Sequence, residues 1–402
     1  MIRVLQINAV YGQGSTGRIM RDIYETSLEG GIDALVAYQK SCCAPEGAYR
    51  IGTPLDWKLH AVLTRLTGKQ GYFSKRATKR LIAYIKEKRP DVIHLHNLHA
   101  NYVNLPMLLR CCKDNGIAVM LTLHDSWFFT GKCFHFADID CNKYITGCSS
   151  CPKKRVDIPN LGRDNSARVW ADRVKLFSDI ERLTVVGCSR WMSDNAAKFP
   201  GFKNARITSI YNGVDTGVFA PRSSARERLG LAGFVILGMA NKWLIPENKD
   251  VFLGVVDSLG PQDTLLLVGC TPEEAESLKK YENKNVRAIG FVSDREELAD
   301  IYAASDVFVN LSLIDTLPTV DMESICCGTP VITYNVGGGP ELVYEGKSGY
   351  VVPLLDGTAV LAAIDKVRRG DIDREACARI GKENFDKEKN YGKYVEEYSR
   401  LL

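Results

Sequence analysis

Short apolar runs alternate along this chain with stretches whose apolar residues recur every three or four positions. The runs read as buried strands and the periodic stretches as amphipathic helices. Residues 2–10 (IRVLQINAV) predict a strand and 15–31 a helix with a Ser/Thr start and a Gly-Gly stop. Strands are expected at 32–39, 91–98, 117–125, 182–189 and 207–215, and helices at 77–90 and 105–116. The rhythm restarts with strands at 234–241, 263–270, 286–292 and 306–312, and with helices at 248–260 and 294–305. Alternation of this kind belongs to parallel, doubly wound α/β sheets. Between the two series lies the polar, Gly- and Pro-containing segment YNGVDTGVFAPRSSARERLG, and a hinge is expected near residues 212–222.

Length supports two cores: 402 residues exceed what one ordinary hydrophobic core holds. The expected organisation is an N-terminal domain over 1–212, a C-terminal domain over 213–385 and a closing helix over 386–402 that packs back on the N-terminal domain. No apolar run approaches the roughly 18 residues of a membrane span. The N-terminal run is short and ends in glycines, so it reads as a first strand rather than a signal peptide. A cytoplasmic protein is expected.

The net charge of +4 is too mild for a dedicated nucleic-acid binder. The basic residues cluster, however. From Trp57 to Pro90 there are ten lysines and arginines, opposed by Glu87 alone and interleaved with Trp57, Tyr72 and Phe73. The segment reads as a solvated helix face or as a docking site for anionic lipid.

The segment DTLPTVDMESICCGTPVITYNVGGGPELV carries the sharpest chemical signal. Asp315 follows a strand end, Pro318 marks a helix start, and Glu323 lies one turn inside that helix. Backbone N–H groups of Thr316, Leu317 and Thr319 would present a positive helix end to a phosphate or sugar oxygen. A carboxylate at Glu323 could accept both hydroxyls of a ribose. Read alone, Asp315 is equally well a helix cap and Glu323 a solvated residue.

Together with Gly328-Thr329-Pro330, the Gly337-Gly338-Gly339-Pro340-Glu341 loop and the strand at Gly349, this segment resembles the retaining glycosyltransferases of family four. Their first acid is a glutamate where this chain has Asp315. The resemblance implies an α/β fold of the GT-B class: two Rossmann-like, doubly wound domains facing across a cleft. It implies that Glu323 holds a nucleotide ribose, and that Asp315 with Thr316, Leu317, Pro318, Thr319 and Val320 holds the donor sugar and distal phosphate. Lys249 matches the family lysine for the diphosphate, and the companion arginine position falls at Asn241 or Lys242. The loop Gly14, Ser15, Thr16, Gly17 and Arg18 would face the transferred group, and His124 would lie near the donor sugar. His94, His96, Asn97 and His99 end the preceding strand and read as acceptor contacts or core packing.

The implied reaction is retaining transfer from a UDP- or GDP-sugar to a glycan or polyprenyl-diphosphate-linked acceptor in surface or capsular polysaccharide assembly, on the inner face of the membrane. With Asp-x-Asp excluded from the candidates, and lysine and helix dipoles available for the diphosphate, no cofactor is expected for catalysis. The alternatives are a GT-B epimerase and a non-catalytic nucleotide-sugar-binding subunit. Cys133, Cys141, Cys148 and Cys151 read either as a structural zinc site, since the last pair is Cys-x2-Cys, or as four buried or free thiols or labile disulfides.

Overall fold

The computed structural model describes residues 1–402, which divide into two compact units: Met1–Tyr211 with Glu388–Leu402, and Asn212–Lys387. The first unit is built on β1 (Arg3–Tyr11), β2 (Asp33–Ser41), β3 (Tyr49–Arg50), β4 (Val92–Leu95), β5 (Ala118–Leu123), β6 (Leu183–Gly187) and β7 (Arg206–Ser209). These form one parallel sheet in the order β3-β2-β1-β4-β5-β6-β7. The second unit is built on β8 (Val235–Met239), β9 (Thr264–Val268), β10 (Val286–Ile289), β11 (Val307–Asn310), β12 (Val331–Tyr334) and β13 (Gly349–Val352). Its parallel order is β10-β9-β8-β11-β12-β13. β4, β5, β6, β9, β11 and β12 are buried along their whole length, which explains their predominantly apolar sequences. In each sheet the strand order reverses beside the first strand of the unit, β1 or β8. Such switch points are where open α/β sheets hold ligands, at the strand carboxyl ends.

The closing helix Lys387–Leu401 belongs to the core of the first unit. Tyr391, Tyr394 and Tyr398 pack with Val4, Val92 and Met120. The Tyr398 hydroxyl meets His94 Nδ1 at 2.7 Å, and Thr122 donates to the Tyr394 hydroxyl at 3.1 Å. Arg206 grips Glu397 through two hydrogen bonds of 2.9 and 3.1 Å and holds its carboxyl below the usual range. His94 is therefore a buried core residue.

Several elements escape the sequence pattern, among them the two-residue strand β3 and the helices Pro54–Thr67, Ser166–Ser178, Gly357–Arg368 and Arg374–Phe385. The first of these helices starts with a Thr53–Asp56 capping box. The second buries an arginine, Arg173, which stacks on Trp127 at 4.0 Å, and a buried charge is a poor apolar marker. The first long helix begins at Gly14, not at Ser15, and no side chain caps it. The aromatics of the basic segment also differ from the docking role read for them, because all three anchor the segment inward. Trp57 Nε1 donates to Ile51 O at 3.0 Å, Tyr72 donates to Asp172 at 3.0 Å, and Phe73 packs edge-on against His60.

Candidate active site

In the second unit, the candidate residues gather where β8, β11 and β12 end. Asp315 follows β11 in a turn that it organises itself. Its Oδ1 accepts the Leu317 N–H at 3.1 Å, and its backbone oxygen accepts the Gly338 N–H at 3.1 Å. The Leu317 amide is therefore committed to Asp315, and Leu317 itself is buried, which removes that N–H from the ligand contacts expected of it. Thr316 and Pro318 are buried as well, and Thr319 and Val320 are half-buried at the start of helix Thr319–Cys326. No side chain caps this helix; Pro318 sits at the cap position. Glu323 is half-buried, and the Tyr302 hydroxyl approaches its Oε2 at 3.4 Å. Burial keeps that phenol protonated, so it is a donor toward Glu323. In the sequence Tyr302 is an ordinary tyrosine of the amphipathic helix Arg295–Ala304, and nothing there marks it as a partner of Glu323.

The Gly337–Gly339 loop closes over Asp315. Gly337 has φ +57°, and a Cβ there would stand 1.7 Å from Asp315 O. A Cβ at Gly339 would stand 3.2 Å from the Thr333 side chain and 3.8 Å from the Pro318 ring, a tight fit rather than a collision. Gly337 is required because loop and turn share one space.

Asn241 is exposed and Lys242 half-buried in the short helix Ala240–Trp243 that follows β8, and Lys249 is the exposed first residue of helix Lys249–Ser258. Asn248, which the sequence reading did not single out, fixes this stretch. Its buried amide donates to Lys242 O and Leu311 O, both at 2.8 Å, and accepts from the Tyr334 hydroxyl at 3.0 Å. The three bonds tie the segment after β8 to the ends of β11 and β12, so Lys249 is held on the same sheet end as Asp315.

In the first unit, Gly14, Ser15 and Arg18 are exposed at the start of helix Gly14–Glu29, and Thr16 is half-buried. Gly17 is buried instead, with room for a Cβ only 3.1 Å from Val10, so it is a packing residue. Asn8 spans the neighbouring ends. Its Nδ2 donates to Thr16 O at 3.2 Å and its Oδ1 accepts the Asn97 N–H at 3.1 Å.

His124 and Asp125 directly follow β5. Gln6 Oε1 accepts from His96 Nε2 at 3.1 Å, so His96 Nδ1 is an acceptor and takes its hydrogen bond from His124 Nε2 at 3.1 Å. Burial pushes the His124 ring down to about 4, against the opposing pull of Asp125, so it is neutral at physiological pH. Asp125 pairs with His99 at 2.9 Å and accepts the Trp127 N–H at 2.8 Å. Burial opposes ionisation of Asp125, yet His99 and that amide hold it below its ordinary value. His96 is fully buried and acts through His124.

The cysteine segment does not assemble a metal centre. All four thiols are free, and no three Cys, His, Asp or Glu side chains of the protein group closely enough to hold a metal ion. Burial raises Cys133 to about 12 and Cys148 to about 11, with the neighbouring thiols adding to the shift. The donor set that the zinc reading needs is not gathered here. Gly131 N–H instead donates to Cys148 Sγ at 3.2 Å.

Two Asp-x-Asp triplets do occur, correcting their exclusion from the sequence reading. Asp138 pairs with Lys153 at 2.7 Å in the cysteine segment. Asp373 caps helix Arg374–Phe385, which packs at the Gly328 end of helix Thr319–Cys326, away from Asp315. Neither triplet stands with the candidate residues.

Two family models match the chain: one described as Glycosyltransferase Family 4 over residues 31–218, and one described as Glycosyl transferases group 1 over residues 232–369. Over 369 residues the chain is 24% identical to the colanic acid biosynthesis glycosyl transferase WcaC of Escherichia coli, covering 87% of this chain and 86% of that protein. It is 27% identical over 209 residues to the N-acetyl-α-D-glucosaminyl L-malate synthase of Bacillus anthracis, 50% of this chain and 55% of that protein. Among solved structures, the fold matches Anabaena Alr3699/HepE in complex with UDP-glucose at a TM-score of 0.66 and 16% identity, covering 100% of both chains.

Proposed function

The chain belongs to the family 4, group 1 glycosyltransferases, and on that premise we propose that it transfers a sugar, with retention, from a nucleotide-sugar donor to a glycan or lipid-linked acceptor in surface polysaccharide assembly. The observation that carries the donor site is the joint anchoring of Asp315 by Leu317 and Gly338 beside the start of helix Thr319–Cys326.

Glu323, backed by the Tyr302 hydroxyl, is assigned to the ribose diol. The uncapped helix start and Lys249 are assigned to the diphosphate, with Asn241 and Lys242 beside it. A protonated lysine at a helix start stabilises charge developing on the leaving diphosphate. As the anomeric C–O bond to phosphate breaks, the acceptor oxygen bonds to the same face of the anomeric carbon, and its proton passes to the departing phosphate oxygen. The Asp315 carboxylate is turned toward the Leu317 amide and Glu323 toward a phenol, which favours holding roles for both over a nucleophilic one.

In the first unit, Gly14, Ser15, Thr16 and Arg18 are proposed to face the transferred group, and neutral His124 the donor sugar, as the resemblance implies. UDP- and GDP-sugars are the proposed donors, UDP-glucose being bound by the structurally similar Anabaena protein. Thirteen free cysteines agree with a reducing cytoplasm. No helix is long and apolar enough to cross a membrane.

The test is turnover of a donor panel with the product anomer read by NMR, with and without a chelator. Product of the donor's own anomeric configuration, formed equally in chelator, supports the reading. An inverted product, or activity that chelator abolishes and magnesium restores, contradicts it.

A further inference from the structure

At the outer edge of the first sheet, β2 and β3 run side by side with Tyr38 opposite Arg50. Lys40 stands two residues beyond Tyr38, so Tyr38, Lys40 and Arg50 share one face of the sheet. That face meets helix Gly14–Glu29, where Tyr38 packs on the cluster of Tyr11, Met20 and Val36. Gln13, the residue before the helix, and Ser41, the last of β2, complete the lining of a cavity of about 360 Å³.

Every residue that lines this cavity is polar, two are cations and none is an acid. The chain has almost as many acids as bases, 48 against 52, so an acid-free cavity with two cations departs from its average. Elsewhere the clefts of the first unit neutralise their cations. Lys113 meets Asp179 at 3.0 Å in the groove between helices Leu105–Asp114 and Ser166–Ser178, and Arg3 meets Asp33 at 2.6 Å in another. Neither Lys40 nor Arg50 enters an ion pair. Arg50 is also braced. Its guanidinium lies over the Trp57 ring at 5.2 Å, and that ring is fixed by its own hydrogen bond to Ile51 O. Stacking on a ring leaves the guanidinium edge open for an in-plane fork to a carboxylate or a phosphate. Ser41 Oγ accepts the Cys43 N–H at 3.0 Å, which leaves its O–H to donate. Two uncompensated cations with hydroxyl donors around them suit an anion.

Location decides which molecule carries the anion. Gln13 immediately precedes Gly14, and the loop from Gly14 to Arg18 is the one proposed to face the transferred group. The donor diphosphate has its place at Lys249 in the second unit. An anion held at Lys40 and Arg50 therefore belongs to the acceptor.

We propose that Lys40 and Arg50, with Gln13, Tyr38 and Ser41, form a subsite for a carboxylate or phosphate substituent on the acceptor sugar, and so select acidic over neutral acceptors. The inference rests on the transferase reading and adds the acceptor class to it.

The experiment is calorimetric titration of the full chain with methyl glucuronide, glucose 6-phosphate and methyl glucoside, at low and high salt. The two charged sugars should bind at least about tenfold tighter than the neutral one, and high salt should erase the advantage. Whichever charged sugar binds tighter names the substituent. Lys40→Gln with Arg50→Gln should lose the preference, and Arg50→Lys alone should keep part of it. Both positions are exposed, so unchanged thermal unfolding is the control for folding. Native protein that binds no charged sugar, or binds charged and neutral sugars alike, would overturn the proposal, as would a preference kept by the double variant. So would displacement of the charged sugars by UDP, because the cavity would then be part of the donor site. Failure of the transferase reading shows instead in the turnover of the donor panel, which these titrations do not use.

Discussion

Gly337 leaves no room for a side chain beside Asp315: a Cβ would lie 1.7 Å from the Asp315 carbonyl oxygen, which the next residue, Gly338, uses as its hydrogen-bond acceptor at 3.1 Å. Loop and turn are thus one object, and the position of the first acid depends on a glycine 22 residues downstream. Gly337→Ala combines a left-handed φ with a backbone collision, so a loss of about 1–3 kcal/mol is expected. Donor KM should rise along with it. Thermal unfolding together with steady-state kinetics reads both.

Lys249 occupies the end of its helix where a positive charge opposes the macrodipole, an arrangement costing about 0.3–1 kcal/mol. Lys249→Ala is therefore expected to leave the unfolding temperature unchanged or slightly raised while kcat/KM falls at least about tenfold. A variant both unstable and fully active would refute the assignment.

Acid should unfold the first unit early. His60, His94 and His96 are fully buried, and burial lowers His60 to about 4, His94 to about 3 and His96 well below its ordinary value. The unfolded chain takes up these protons near pH 6.5 and the folded chain does not. Stability is therefore full above pH 6.5 and falls as pH drops toward 4, by about 1.4 kcal/mol per pH unit for each such histidine. Denaturant titrations at a series of pH values test the slope. For the same reason the neutral His124 ring predicts no histidine limb in the pH–rate profile between about pH 5.5 and 8.

Asp321 lies fully buried in the helix that carries Glu323, accepting from Asn310 Nδ2 at 2.7 Å. Burial pushes its carboxyl well above the ordinary value, so the folded chain keeps it protonated. A raised carboxyl favours folding below the unfolded value near 3.9, and that advantage is lost as pH rises. Asp321→Asn, neutral at every pH, should gain stability relative to the native chain between pH 4 and 7. An unchanged difference across that range would show the carboxylate is ionised in place.

Much of this architecture is legible in the residues, because buried parallel strands such as β5, β9 and β11 are predominantly apolar runs. The Asp315–Glu323 spacing and the glycine loop were legible for a related reason: tight turns and helix starts restrict residue choice. Asn248 and Tyr302 were not, since an asparagine before a helix and a tyrosine within one look ordinary until their long-range partners are known. The helix Pro54–Thr67 was masked because its leucines face outward and its buried face carries His60 and Thr64, reversing the usual pattern. The cysteines left two readings open, and their Cys-x2-Cys spacing is not matched by a gathered donor set.

The central claim is that a nucleotide sugar is held by Glu323 at the start of helix Thr319–Cys326. Calorimetric titration of the preferred nucleotide sugar into the native protein, Glu323→Ala and the exposed control Glu296→Ala tests it directly. The account predicts native-like affinity for the control and at least about tenfold weaker binding for Glu323→Ala, the loss expected when a charged acceptor for a ribose diol is removed. Equal affinity in all three proteins would contradict it.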